Sequence, residues 1–168
     1  RQWSRGLGDV YKRQVINSQY QVAIMAPTEI LAKQHFKVAQ SIFEYLNIRI
    51  ALLVSSSNNK SQVYEDLLNG KIDLVIGTHA LIQNKVQFKN LSYVIIDEQH
   101  RFGVEQRLKI RGKGKNVDML LLSATPIPRT MLLATLGDID LSTIRNKPFN
   151  SKVKTIIKSE ENIEDIIL

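Results

Sequence analysis

From Val15 onward, short and nearly uninterrupted apolar runs alternate with longer segments in which apolar residues recur every three or four positions. The first pattern belongs to strands buried on both faces of a parallel sheet, the second to amphipathic helices packed on such a sheet. Strands are expected at residues 22–25, 48–54, 72–76, 93–96 and 117–122, with further ones at 141–144 and 153–157. Thr28 stands where it would cap a helix whose apolar face runs through Leu31, His35, Val38, Ile42 and Leu46. A polar stretch at 55–59 leads into a helix that ends at Leu68, with Asn69-Gly70 as its stop. Residues 101–110 form the next helix, before a flexible turn at Gly112-Lys113-Gly114-Lys115. A further helix runs from after Pro128 to Leu136, and Ser159-Glu160-Glu161 opens a last helical segment. Repeated βα units of this length predict an α/β fold: a parallel sheet with right-handed crossovers and helices on both faces.

The polar residues at the ends of these strands change the picture from fold to chemistry. Tyr93-Val94-Ile95-Ile96 runs directly into Asp97-Glu98-Gln99-His100. Parallel strands share their carboxyl ends, and open α/β sheets bind ligands at that edge. Two adjacent acids there divide naturally between holding a phosphate-bound Mg2+, through water, and orienting or deprotonating an attacking water. Asp97 suits the first role and Glu98 the second. Three other strands end in Ala26-Pro27-Thr28-Glu29, Gly77-Thr78-His79 and Ser123-Ala124-Thr125. Each alone reads as an ordinary helix start or tight turn; together, on one edge, they read as one site.

Composition narrows the classes. The absence of Cys from the 168 residues excludes disulfides and thiolate metal sites. No apolar run approaches the ~20 residues of a membrane span, so no membrane partner is expected. Net charge is +7, which favours a polyanionic partner, although much of the excess lies in clusters at 109–115 and 147–158 that also suit solvated loops. With aromatics at 7%, the stacking platforms of an oligonucleotide-binding barrel are not expected.

Residues 1–14 are basic, contain glycine and follow neither apolar period, and they are expected to be a non-native leader. The segment Gly6-Leu7-Gly8-Asp9-Val10-Tyr11-Lys12-Arg13 has the residue types of a phosphate loop. That loop needs Gly before its Lys and Ser or Thr after it, and here those places hold Tyr11 and Arg13.

The strings APTEILAKQH from Ala26, GTHALIQ from Gly77, VIIDEQHRFGVEQR from Val94 and LLSATPIPRT from Leu121 resemble those of superfamily-two helicases, specifically the RecG family of ATP-dependent DNA helicases. The resemblance implies a RecA-like sheet with ATP and Mg2+ as cofactors, an N-terminally truncated domain at residues 15–145, and a linker with the start of a second motor domain at 146–168. It further implies that Asp97 binds Mg2+, Glu98 polarises the hydrolytic water, and Gln99 and His100 link the nucleotide site to the DNA-facing motifs. Ser123, Ala124 and Thr125 would couple hydrolysis to movement. Pro27, Thr28, Glu29, Gly77, Thr78 and His79 would meet the phosphate backbone of one DNA strand, with Gln34, Arg101 and Arg129 assigned by motif membership alone. The expected partner is branched or forked DNA and the expected location the bacterial cytosol, associated with the nucleoid. An N-terminal wedge domain and a C-terminal RecA-like domain would be missing. Rival readings are a translocase of the transcription-repair coupling type, which usually has Glu at the place of Gln99, a translocase on RNA, and a catalytically inactive DNA-binding module.

Overall fold

The computed structural model describes residues 20–124, 140 and 142–144. Within them lie five strands: β1 (Gln21–Met25), β2 (Ile50–Leu53), β3 (Leu74–Gly77), β4 (Leu91–Ile96) and β5 (Asp118–Leu121). Three α-helices intervene, α1 (Glu29–Phe43), α2 (Lys60–Leu68) and α3 (Val104–Arg111), together with 3-10 turns at His79–Ile82 and Gln99–Arg101. The strands form one sheet in the order β2-β3-β1-β4-β5, and every neighbouring pair is parallel. The expected α/β sheet is therefore present, and the strands carrying the four motif turns are neighbours.

Alternate residues of each strand face opposite layers. Val22, Ile24, Leu74, Ile76, Tyr93 and Ile95 join Ala32, Ala39 and Phe43 of α1 in one buried cluster. Ala23, Met25, Val75, Val94 and Ile96 join Leu67 of α2, Phe102 of the turn before α3, and Ile110 of α3 in the other. The chain steps from β1 to β2 past α1 in one direction along the sheet, then returns to β3 past α2 on the opposite face. Changing direction and face together keeps both crossovers the same hand, as the twist of parallel strands requires.

The α1 face differs from the expected one. Ala32, Ala39 and Phe43 are buried, whereas Ile42 is 42% exposed. Small side chains let the helix backbone lie close to the sheet, so the buried stripe is centred on alanines rather than on the larger apolar residues. The Gly112–Lys115 turn differs too. A Cβ on Gly114 would stand 2.2 Å from the Leu91 carbonyl oxygen, and Lys113 Nζ donates to the carbonyls of Gln83 (2.8 Å) and Val86 (2.6 Å). The turn is thus docked against the start of β4, and burial pushes the Lys113 ammonium below its ordinary pKa. Over 142–144, the described part of the strand expected at 141–144, no strand forms; these residues are exposed, Ile144 by 63%, and bury no face to offset their ordering. The elements expected at 153–157, after Pro128 and from Ser159, and the leader at 1–14, lie outside the described residues.

At the amino edge of the sheet, β1 begins with a buried polar residue. Gln21 is 3% exposed, and its amide donates to the Leu67 and Ile72 carbonyls (2.9 and 2.8 Å) while its oxygen accepts the Asn90 N–H (2.9 Å). Those bonds compensate the desolvation that would otherwise cost ~1–3 kcal/mol. They fix the end of α2, the approach to β3 and the approach to β4 relative to one another.

Candidate functional site

The four motif turns meet at the carboxyl edge because the strand register puts them there. Met25 pairs with Gly77 on one side and Ile96 on the other, and Ile96 pairs with Leu121. Backbone bonds then carry the alignment beyond the strands: Ala26 N–H to Gly77 O (2.9 Å), Asp97 N–H to Met25 O (2.9 Å), Leu122 N–H to Ile96 O (2.9 Å) and Gln99 N–H to Leu122 O (3.0 Å). Gly77 has to be glycine: a Cβ would lie 2.3 Å from Leu53 O, inside the β2–β3 contact.

The turn after β1 is relaxed. Thr28 is extended at φ −130° and caps α1, its hydroxyl accepting the Leu31 N–H at 3.3 Å. Glu29 in the first helical turn accepts from Ser56, at 3.1 Å from the N–H and 2.7 Å from the hydroxyl. The Ser56 hydroxyl bond, helped by Lys33, holds the Glu29 carboxyl below its ordinary pKa. Pro27 is half-buried, and Thr28 and Gln34 are exposed.

The turn after β4 is different in kind. Asp97 Oδ1 accepts the N–H of Glu98 (3.0 Å), and Oδ2 lies 2.8 Å from His35 Nε2 on α1. Glu98 is the one described non-glycine residue with positive φ, at φ 50° and ψ 53°. That left-handed backbone costs an ordinary L-residue ~1–2 kcal/mol. Its Oε2 is buried without a hydrogen bond; His100 Nδ1 lies 3.5 Å away but outside bonding geometry. Strain and an unsatisfied carboxylate oxygen thus fall on one residue. Gln99 is 4% exposed and accepts at Oε1 from Arg107 (3.2 Å), which is itself 8% exposed, has an unpartnered Nε, and is pushed below its ordinary pKa by burial. His100 and Arg101 are exposed.

After β3, Thr78 is 6% exposed; its N–H bonds Leu53 O (3.3 Å) and its carbonyl accepts from Leu81 (3.0 Å). Both of its backbone groups are spent inside the fold. His79 is exposed, with its ring centroid 5.1 Å from that of buried Phe102. Ser123 and Ala124 are exposed at the end of β5, whereas Thr125 and Arg129 lie outside the described residues. Two residues to which the sequence assigned no role join the site: His35, read as part of an apolar face and as the last residue of the APTEILAKQH string, and Arg107, the last residue of VIIDEQHRFGVEQR. A histidine two turns into a helix whose start already carries a motif was the available signal for the first; nothing in the sequence marks Arg107 as buried.

Comparison with known proteins gives the family and the fold. The DEAD/DEAH box helicase family model matches residues 9–133. The chain is 52% identical over 139 residues to the ATP-dependent DNA helicase RecG of Bacillus subtilis, covering 82% of this chain and 20% of that protein. It is 49% identical over 150 residues to the enzyme of the same name from Thermotoga maritima, covering 88% and 19%. A solved structure of RecG bound to a three-way DNA junction superimposes with a TM-score of 0.65 at 45% identity, covering 88% of this chain and 20% of that one. The chain therefore spans about a fifth of the length of the relatives it matches. Among the described residues no helix is long and apolar enough to cross a membrane.

Proposed function

Because the chain belongs to the DEAD/DEAH box helicase family, we propose that its carboxyl edge is the nucleotide-facing and DNA-facing surface of the first motor domain of a RecG-type ATP-dependent DNA helicase that remodels branched DNA. The observation that carries this reading is the Asp97-Glu98 pair, anchored at the sheet edge through Met25 O beside the other three motif turns.

In this reading Asp97 holds the Mg2+ of the nucleotide. The carboxylate suits such an ion: N–H bonds to Oδ1 and Oδ2 orient it, and an ionised carboxylate is acceptor-only at both oxygens. When bound, Mg2+ neutralises charge on the phosphates. Glu98 acts on the attacking water, since its Oε2 makes no hydrogen bond within the fold and so keeps its acceptor capacity for a water brought in with the nucleotide. Gln99 and His100 carry the state of that site toward the DNA-facing turns, and Ser123, Ala124 and Thr125 couple hydrolysis to movement.

The DNA-facing side consists of Pro27, Thr28, Glu29 and Gln34 at α1, Gly77, Thr78 and His79 after β3, and Arg101 and Arg129. Exposed Thr28, His79 and Arg101 would meet phosphates directly; buried Thr78 would act by shaping its turn. Such contacts hold a strand without reading its sequence. The RecG–junction structure and the positive charge support a branched-DNA partner, and the reaction would run in the bacterial cytosol, at the nucleoid. The test is ATP turnover by the full-length gene product with no DNA, linear duplex or a three-way junction. Turnover stimulated most by the junction is expected, with loss on Asp97→Asn; turnover indifferent to DNA overturns the proposal.

A further inference from the structure

We propose that His35 is a positioning residue for Asp97, tying the metal-holding carboxylate to the helix whose first turn meets the DNA strand. The inference rests on the functional reading above and adds a residue and a route to it. His35 Nε2 and Asp97 Oδ2 are 2.8 Å apart across 62 residues of sequence, with side chains 20% and 21% exposed. An ionised carboxylate only accepts, so the proton in this bond belongs to the histidine nitrogen.

The bond helps to frame Asp97. Its Oδ1 accepts the Glu98 N–H from the neighbouring residue, and the carboxylate torsion is by itself broad and roughly two-fold. A bond to Oδ2 from a different element narrows that torsion. His35 is placed for this by its helix: it lies one turn from Ala32 and from Ala39, both buried against the sheet, and so faces inward with them. Seven residues separate it from Thr28, a distance of ~10 Å along a continuous helix. Movement of the Thr28–Glu29 turn on meeting a strand is therefore passed to Oδ2 by α1 acting as a rigid rod. The two sites share one bonded path that needs no intervening loop.

The experiment uses the full-length gene product and its His35→Leu and His35→Gln variants. A fluorescent ATP analogue is titrated with and without Mg2+, and unfolding midpoints are recorded. His35→Leu is expected to weaken the Mg2+-dependent part of nucleotide binding about 10-fold, the scale of losing a partner of a metal ligand, with Mg2+-free binding and the unfolding midpoint unchanged. His35→Gln, whose amide reaches to a similar distance and donates, restores most of it. Unchanged Mg2+ dependence in His35→Leu overturns the proposal. So does an equal loss in both variants accompanied by a lowered midpoint, which marks His35 as a packing residue only. If the unaltered protein binds no nucleotide, the functional reading itself fails and the role of His35 falls with it.

Discussion

The turns after β1 and β4 leave adjacent strands at the same edge, yet they are built on opposite terms. After β1 the chain is extended, the helix is capped by Thr28, and Glu29 finds two bonds on Ser56. After β4 the chain turns left-handed at Glu98, buries a carboxylate oxygen without a bond, and packs an arginine whose Nε has no partner. Local strain of this sort costs ~1–3 kcal/mol per residue and persists where surrounding structure enforces it. Here the enforcing structure is the central sheet itself, since Asp97 N–H is bonded to β1 and Gln99 N–H to the residue after β5. The difference shows where this domain spends its stability: the turn proposed to meet a DNA strand is relaxed, and the turn proposed to act on the nucleotide is held taut.

The largest effect that tests this contrast is chemical. In the full-length gene product, Glu98→Gln should lower ATP turnover by ~10²–10⁴ while ATP and DNA binding persist, because shape is kept and the proton acceptor is lost. Turnover within a few-fold of the unaltered protein refutes the assignment. Stability changes should then have opposite signs at the two turns. Thr28→Ala removes a cap and should cost about 1 kcal/mol in urea unfolding. Glu98→Gly relieves the left-handed backbone and removes the orphaned oxygen, and should raise stability by about 1 kcal/mol net of glycine's own entropy, with turnover abolished. Destabilisation by both variants would erase the distinction. The smallest effect is at Glu29. Folding lowers its pKa, so the Ser56 contact contributes above the ordinary value of 4.5 and is lost as pH falls through the lowered one. Ser56→Ala should move the Glu29 titration, followed by NMR, up toward 4.5; no movement would assign the shift elsewhere.

Much of this was legible in the sequence because burial on both faces leaves a simple trace. Val22 to Met25 and Tyr93 to Ile96 lack any polar interruption, so their strands, their parallel pairing and the common edge follow from the pattern. The acids were legible for the same reason, as polar residues ending an apolar run. What the sequence hid depends on distance or on backbone conformation. His35 is 62 residues from Asp97 and sits among apolar neighbours, so periodicity counts it as part of a face. The left-handed Glu98 has no glycine or asparagine to announce it, since the strain is imposed by tertiary bonds. The docking of Gly114 and Lys113 was hidden because glycine and lysine normally mark solvated turns, whereas here the missing Cβ lets Leu91 approach.

Gln21 has a consequence for how the domain opens and closes. Its three side-chain bonds join residues 46, 51 and 69 positions apart in sequence. Contacts of such separation form only after the chain between them has been ordered, and topology of this kind sets folding speed. The Asn90 end of this network lies in an exposed bend and can open locally, but the Gln21 side chain, 3% exposed, leaves its place only with the central strand. The Val22 N–H, bonded to Asp73 O within that buried strand, is then expected to exchange with solvent deuterium only through global unfolding, at the free energy of the whole domain. The Thr28 and Glu98 turns would open many times for each such event, so the amino edge would keep the slow clock of the fold while the carboxyl edge cycles.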